Sequence, residues 1–152
     1  MNFAETSFLC AILRTQDNTP QADAWMQEHG EPIDVTTLVL YEFRQGVHFQ
    51  SWLHQHDKKK GYSAAEAERM LARLEENLEL GIFRVVAVDW TRVHEKAGQL
   101  AKTHTSKSGA RGFDLLHVAT ADVLKASAFL SMDGPQRKVA RACGLLVGPV
   151  LG

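Results

Sequence analysis

The sequence predicts an α/β fold, a parallel sheet sandwiched between helices, and three observations predict it. Short apolar runs at 2–5, 32–36, 83–88, 128–132 and 145–147 alternate with longer segments of helical spacing. That alternation favours parallel strands covered on both faces. The 152 residues, 45% of them hydrophobic and 23% charged, suit one globular domain over 1–152 and are too few for two.

Residues 2–5 form the first, very short strand, and the polar pair Thr6-Ser7 turns the chain into a helical run at 8–13. Thr19 and Pro20 read as the N-cap and first position of a second helix, with Ala22, Trp25, Met26 and His29 at helical spacing and Gly30 as its stop. Residues 32–36 are a weaker strand. Leu38, Tyr41, Phe49, Trp52 and Leu53 read as the inner face of a long helix, bent near Gly46 and closed by the polar run 54–61. Ala67, Leu71, Leu74 and Leu78 make residues 64–80 an amphipathic helix with its acids in solvent. Residues 83–88 carry the clearest strand by their β-branched content. Val93, Ala97, Leu100 and Ala101 mark the next helix, and 103–112 reads as a polar, basic loop. A helix over 113–125, a strand over 128–132, a helix over 135–143 and a strand over 145–147 complete the chain.

Composition excludes some functions. A net charge of −1 rules out a protein that grips nucleic acid over its whole surface, so any such contact needs a local basic patch. The N-terminus lacks the pattern of a secretory signal, and no run approaches the roughly 20 apolar residues that span a bilayer. Cys10 and Cys143 lie far apart among apolar neighbours and read as buried thiols, not as a metal or redox pair. The expected compartment is the cytoplasm, with no membrane partner.

In parallel sheets, sites form beyond the carboxyl ends of the strands. Four acids stand at such places: Glu5 ends the first strand, Glu42 lies in the helix after the second, Asp114 opens its helix and Asp133 follows the fourth strand. Each also has a plain structural reading, Glu5 as an exposed strand end, Glu42 as the partner of Arg44 or another base, and Asp114 and Asp133 as helix-start residues. Gathered together, two carboxylates 4 Å apart would repel by roughly 4 kcal/mol at an effective dielectric of 20. A cluster of this kind calls for protonation or a cation, and an all-oxygen set suits Mg²⁺ or Mn²⁺. Such an ion supports phosphodiester hydrolysis.

The order of motifs carries a resemblance. Residues 3–9 (FAETSFL) and 36–42 (TTLVLYE) resemble the first two motifs of the PIN domain family, 111–121 (RGFDLLHVATA) its third, and 129–133 (FLSMD) its fourth. In size, the chain is similar to VapC-type toxins of bacterial toxin–antitoxin pairs. The resemblance implies a Mg²⁺- or Mn²⁺-dependent endoribonuclease acting on RNA, often a homodimer and silenced by a small antitoxin protein. It implies Glu5, Glu42, Asp114 and Asp133 as the catalytic and metal-coordinating acids, with Ser7 and Ser131 as supporting polar residues. The family's first acid is usually Asp, so Glu5 implies either an adapted site or weakened metal binding.

His117, one helical turn after Asp114, either orients an acid or is a hydrogen-bonded histidine beside the site. Lys107 and Arg111, with Lys102, either hold the RNA backbone or form a solvated loop. Arg44 and Arg137 could each neutralise a neighbouring acid. Trp25, Trp52 and Trp90 read as core or dimer contacts, and His54, His56 and Asp57 as surface residues. Two alternatives to the ribonuclease stand beside it: a PIN-like module that binds RNA or protein without cutting, and a receiver-type regulatory domain. The receiver is disfavoured because no late-strand lysine or paired early acids are visible.

Overall fold

The sheet grows outward from its first strand. A computed structural model describes residues 1–30 and 32–151. In chain order these form β1 (Asn2–Ala4), α1 (Thr6–Leu13), α2 (Thr19–His29), β2 (Ile33–Val35), α3 (Thr37–His56), α4 (Ala64–Glu79), β3 (Phe83–Val85), α5 (Trp90–Ser108), α6 (Gly112–Val123), β4 (Ala128–Leu130), α7 (Gly134–Ala142) and β5 (Leu146–Gly148). The five strands pair in the order β3-β2-β1-β4-β5, all parallel, and the helices flank them. β1, β2 and β4 are buried at every position; β4 is apolar throughout, while β1 and β2 each bury one polar residue, Asn2 and Asp34, the latter paired with Arg84 at 2.7 Å.

This order creates a crevice. From β1 the chain builds β2 and β3 on one side, then crosses to build β4 and β5 on the other. The switch lies between β1 and β4, where Asn2, Phe3 and Ala4 stand beside Ala128, Phe129 and Leu130. Phe3 and Phe129 stack across it with ring centroids 6.2 Å apart. Five fully buried phenylalanines, Phe3, Phe8, Phe43, Phe83 and Phe129, dominate the core.

Several boundaries differ from expectation, each for a physical reason. β3 ends at Val85, because its partner β2 ends at Val35; Val86 makes one last backbone bond to Val35, and residues 87–88 have no strand to join. The expected loop 103–112 is instead helix as far as Ser108. Its hydroxyls bond back into the helix, Thr103 to the Gln99 carbonyl and Ser108 to that of His104, and Gly109 at φ 71° stops it. Polarity there marks a helix that outruns the core. Asn18, not Thr19, is the N-cap of α2, and the Thr19 hydroxyl instead ties α2 to the Ala11 and Arg14 carbonyls.

The inner face of α3 is also different. Val39, Phe43, Val47 and Ser51 are buried at four-residue spacing, whereas Tyr41, Phe49 and Trp52 are exposed. The helix carries two apolar stripes, and only the one turned toward α1 and α4 is covered. Trp25 is buried as expected, and Trp90 is half-buried. Cys10 and Cys143 are free thiols of intermediate exposure rather than fully buried ones. No helix among the described residues is long and apolar enough to cross a membrane.

Candidate active site

Glu5 is the first residue beyond β1, and its backbone N–H still reaches the Leu130 carbonyl of β4 at 3.1 Å. Its extended backbone makes it the N-cap of α1, and its carboxylate accepts the Ser7 N–H at 2.9 Å. The side chain is 1% exposed. The Ser7 hydroxyl donates to the other carboxylate oxygen and accepts the Met132 N–H at 2.8 Å, so one serine joins the ends of β1 and β4. Burial pushes Glu5 above the ordinary carboxylate value, a rise that Ser7, the His117 charge and Ser131 offset only in part.

Asp133 caps α7, accepting the Gln136 N–H at 2.8 Å, and the Ser131 hydroxyl accepts the Asp133 N–H at 3.0 Å. Asp114 sits in the first turn of α6, where one oxygen accepts the Arg111 N–H at 2.8 Å. Its other oxygen accepts the side-chain amide of Gln136 at 3.2 Å, and the same nitrogen lies 3.4 Å from Glu5. Gln136 therefore bridges two acids brought from different elements. Its own carbonyl oxygen is buried without a hydrogen-bond partner. The local capping readings of Asp114 and Asp133 hold, and both stand at helix starts beyond the strand ends.

The fourth acid has its own partners. Glu42 lies on α3 and accepts a hydrogen bond from His117 Nε2 at 2.6 Å and another from the Thr6 hydroxyl, both on the same oxygen. Burial alone would raise Glu42, but the bond and charge of His117, together with Thr6, outweigh it and hold the carboxyl below its ordinary value. His117 is fully buried, so the reading in which it orients an acid and the one in which it is a hydrogen-bonded histidine coincide. Arg44 is paired with Glu75 at 2.8 Å, and Arg137 is spent on the Ser131, Gly148 and Pro149 carbonyls. Among the described residues no lysine or arginine forms an ion pair with any of the four acids.

As the side chains lie, no group of three or more His, Cys, Asp or Glu among the described residues is arranged to hold a metal ion. Glu5 and Asp114 meet through Gln136, Asp133 stands at the head of the same helix as Gln136, and Glu42 is joined to Glu5's neighbour Thr6. Lys102, Lys107 and Arg111 are exposed, the first two on α5 and the last at the start of α6. Two residues of the site went unread in the sequence, Thr6 and Gln136. Gln136 carried a faint signal, since a Gln three residues after an Asp N-cap marks a helix start. Its inward aim depends on the packing of α7 against α6.

The motif order, this strand order and the acids at the switch crevice agree with one family, and the match to the PIN domain extends over residues 3–142. The chain belongs to the PIN domain family. Among solved structures it is similar to FitAcB from Neisseria gonorrhoeae, with a TM-score of 0.65, 20% identity, and 97% of this chain and 96% of that one covered. It is also similar to VapC20 of Mycobacterium tuberculosis, described as a Sarcin-Ricin loop cleaving toxin, with a TM-score of 0.63, 17% identity, and 96% and 97% covered. At such identities these likenesses concern the fold. No curated protein sequence matches the chain.

Proposed function

We propose that this PIN domain protein is a metal-dependent endoribonuclease, the toxin of a toxin–antitoxin pair, with Glu5, Glu42, Asp114 and Asp133 as its catalytic and metal-holding acids. One observation carries the reading. A buried carboxylate, Glu5, and Asp114 face each other across a neutral amide at the switch crevice, and among the described residues no lysine or arginine forms an ion pair with either. Leaving a buried charge unpaired is costly, and sites tolerate it where a ligand supplies the missing charge.

The donors fit a hard divalent ion. They are all oxygen, and Gln136 holds its amide nitrogen where a cation would meet both carboxylates. Its unpartnered carbonyl oxygen is a further hard donor once the amide turns. A bound Mg²⁺ or Mn²⁺ would supply Lewis-acid stabilisation of the phosphate and help deprotonate an attacking water. The protein's own part is to hold the acids. Ser7 locks Glu5 to the β4 end, His117 and Thr6 keep Glu42 ionised and fixed, and helix capping fixes Asp114 and Asp133. Glu5, longer by a methylene than the aspartate usual in the family, spends that length on reaching Ser7 and Gln136.

VapC20's description as a toxin cleaving the sarcin-ricin loop supports an RNA substrate here. Lys107 and Arg111, exposed near Asp114, are suited to the phosphate backbone. The same reading carries an antitoxin partner, a homodimer and a cytoplasmic setting. The test is Mn²⁺-dependent cleavage of a mixed RNA pool by the purified protein. Wild type should cut, and Asp114→Asn should abolish cutting while leaving the fold intact. Equal cleavage by both would end the mechanism, and a folded wild type that binds RNA but never cuts would favour the non-cutting module.

A further inference from the structure

Beside the acids lies a hollow of about 360 Å³ between α1, α3 and α4, within the size range of small-ligand pockets. Thr6, the residue that binds Glu42, forms part of its wall. Cys10, Phe43, Val47 and Met70 give it an apolar floor, and Gln16, Gln50 and Tyr62 a polar rim. This is the chemistry of a slot for a flat ring with polar edges.

Two further observations say what fills it. The first is Gly46. It sits in the interior of α3, where glycine destabilises a helix relative to alanine, and a Cβ built on it would meet no atom within 4 Å. Nothing in the fold requires glycine there; what it leaves open is the hollow that it lines. The second is charge. Arg14 stands 4.9 Å from the Tyr62 ring at the far rim, and both residues also line a neighbouring depression with Arg69 and Arg73. Glu66 there pairs with both Arg14 and Arg69, so two guanidinium groups share one carboxylate, while Arg73 donates to the Leu13 and Ile12 carbonyls. A ring slot that meets Glu42 through Thr6 at one end and carries an excess of cations at the other matches a nucleotide strand, in which bases alternate with phosphates.

We propose that this hollow is a nucleobase subsite, seating one base of the RNA next to the bond that is cut, with Arg14 and Arg69 on the strand's phosphates. The proposal rests on the ribonuclease reading for the identity of the strand. It concerns residues outside the four acids, and Gly46 is the position that decides whether the base fits.

The test is fluorescence anisotropy in EDTA with 5′-labelled hexanucleotides of A, C or U and with an abasic hexamer. Wild type should bind at least one base-bearing strand on the order of tenfold more tightly than the abasic one. Gly46→Leu, whose side chain fills the hollow, should bind every strand at the abasic level, with a thermal midpoint no lower than wild type. Gly46→Ala, which adds one methyl and keeps the helix, should lose part of the preference and carries the test if the leucine variant does not fold. A wild type indifferent to bases, or a Gly46→Leu protein that keeps the wild-type preference, overturns the subsite; the first result would leave the hollow to a protein side chain. The two readings fail separately. Base-dependent binding without any cleavage removes the ribonuclease and keeps the subsite, whereas Mn²⁺-dependent cleavage that ignores Gly46→Leu removes the subsite alone.

Discussion

Replacing Gln136 by lysine puts a permanent cation in the place assigned to the metal. The amide nitrogen now lies 3.4 Å from a Glu5 oxygen and 3.2 Å from an Asp114 oxygen. At those distances an ammonium would be attracted to each carboxylate by roughly 5 kcal/mol at an effective dielectric of 20. Against that gain stand several kcal/mol for desolvating the ammonium and the loss of two charge-assisted amide bonds of about 1.5–3 kcal/mol each. Removing the unpartnered Gln136 carbonyl returns about 1–3 kcal/mol. The balance favours Gln136→Lys by about 2 kcal/mol without metal, equivalent to a rise of about 4–8 °C in the unfolding midpoint for a chain of this size. Thermal unfolding at neutral pH with and without Mn²⁺ checks it. Wild type should gain midpoint with Mn²⁺, because an ion that binds only the folded protein stabilises it. Gln136→Lys should start higher and gain nothing. A variant less stable than wild type that still responds to Mn²⁺ would refute the assignment of this space to a cation.

The buried Glu5 predicts a pH dependence. Its raised value means that the folded protein binds the proton more tightly than the unfolded chain, so its contribution is fully present below the ordinary value of 4.5 and is lost as pH rises through the folded value. Urea titrations from pH 4.5 upward without metal should show stability falling for wild type and a flatter profile for Glu5→Gln; an identical slope in both would locate the dependence elsewhere. Arg137 is 4% exposed and holds the Ser131, Gly148 and Pro149 carbonyls together. Arg137→Met should cost about 3–5 kcal/mol in denaturant unfolding by removing the guanidinium from the Ser131 and Pro149 carbonyls, the Gly148 carbonyl keeping the Ser131 N–H, and a loss under 1 kcal/mol would show that water replaces the guanidinium.

The architecture was legible because its physical causes are local. Strands buried on both faces are mostly apolar, as at 128–130, and amphipathic helices must repeat every 3.6 residues, as at 64–79. Alternation of the two implies a parallel sheet, and a parallel sheet with a strand-order switch implies a crevice at the strand ends. The places of Glu5, Asp114 and Asp133 followed from that, because each is tied to a strand end or a helix start, whereas Glu42 lies more than a turn into α3. Where polarity and packing part company the sequence misled: the polar 103–108 stretch is helix beyond the edge of the core, and of two apolar stripes on α3 only contact with α1 and α4 could choose the covered one. The partners of the acids were invisible for the same reason. His117 meets Glu42 across 75 positions and Gln136 meets Glu5 across 131. Hydrogen bonds between distant residues leave no periodicity in a chain, so only the assembled sheet decides which acid is buried, which is held ionised by histidine, and which pair faces across an amide.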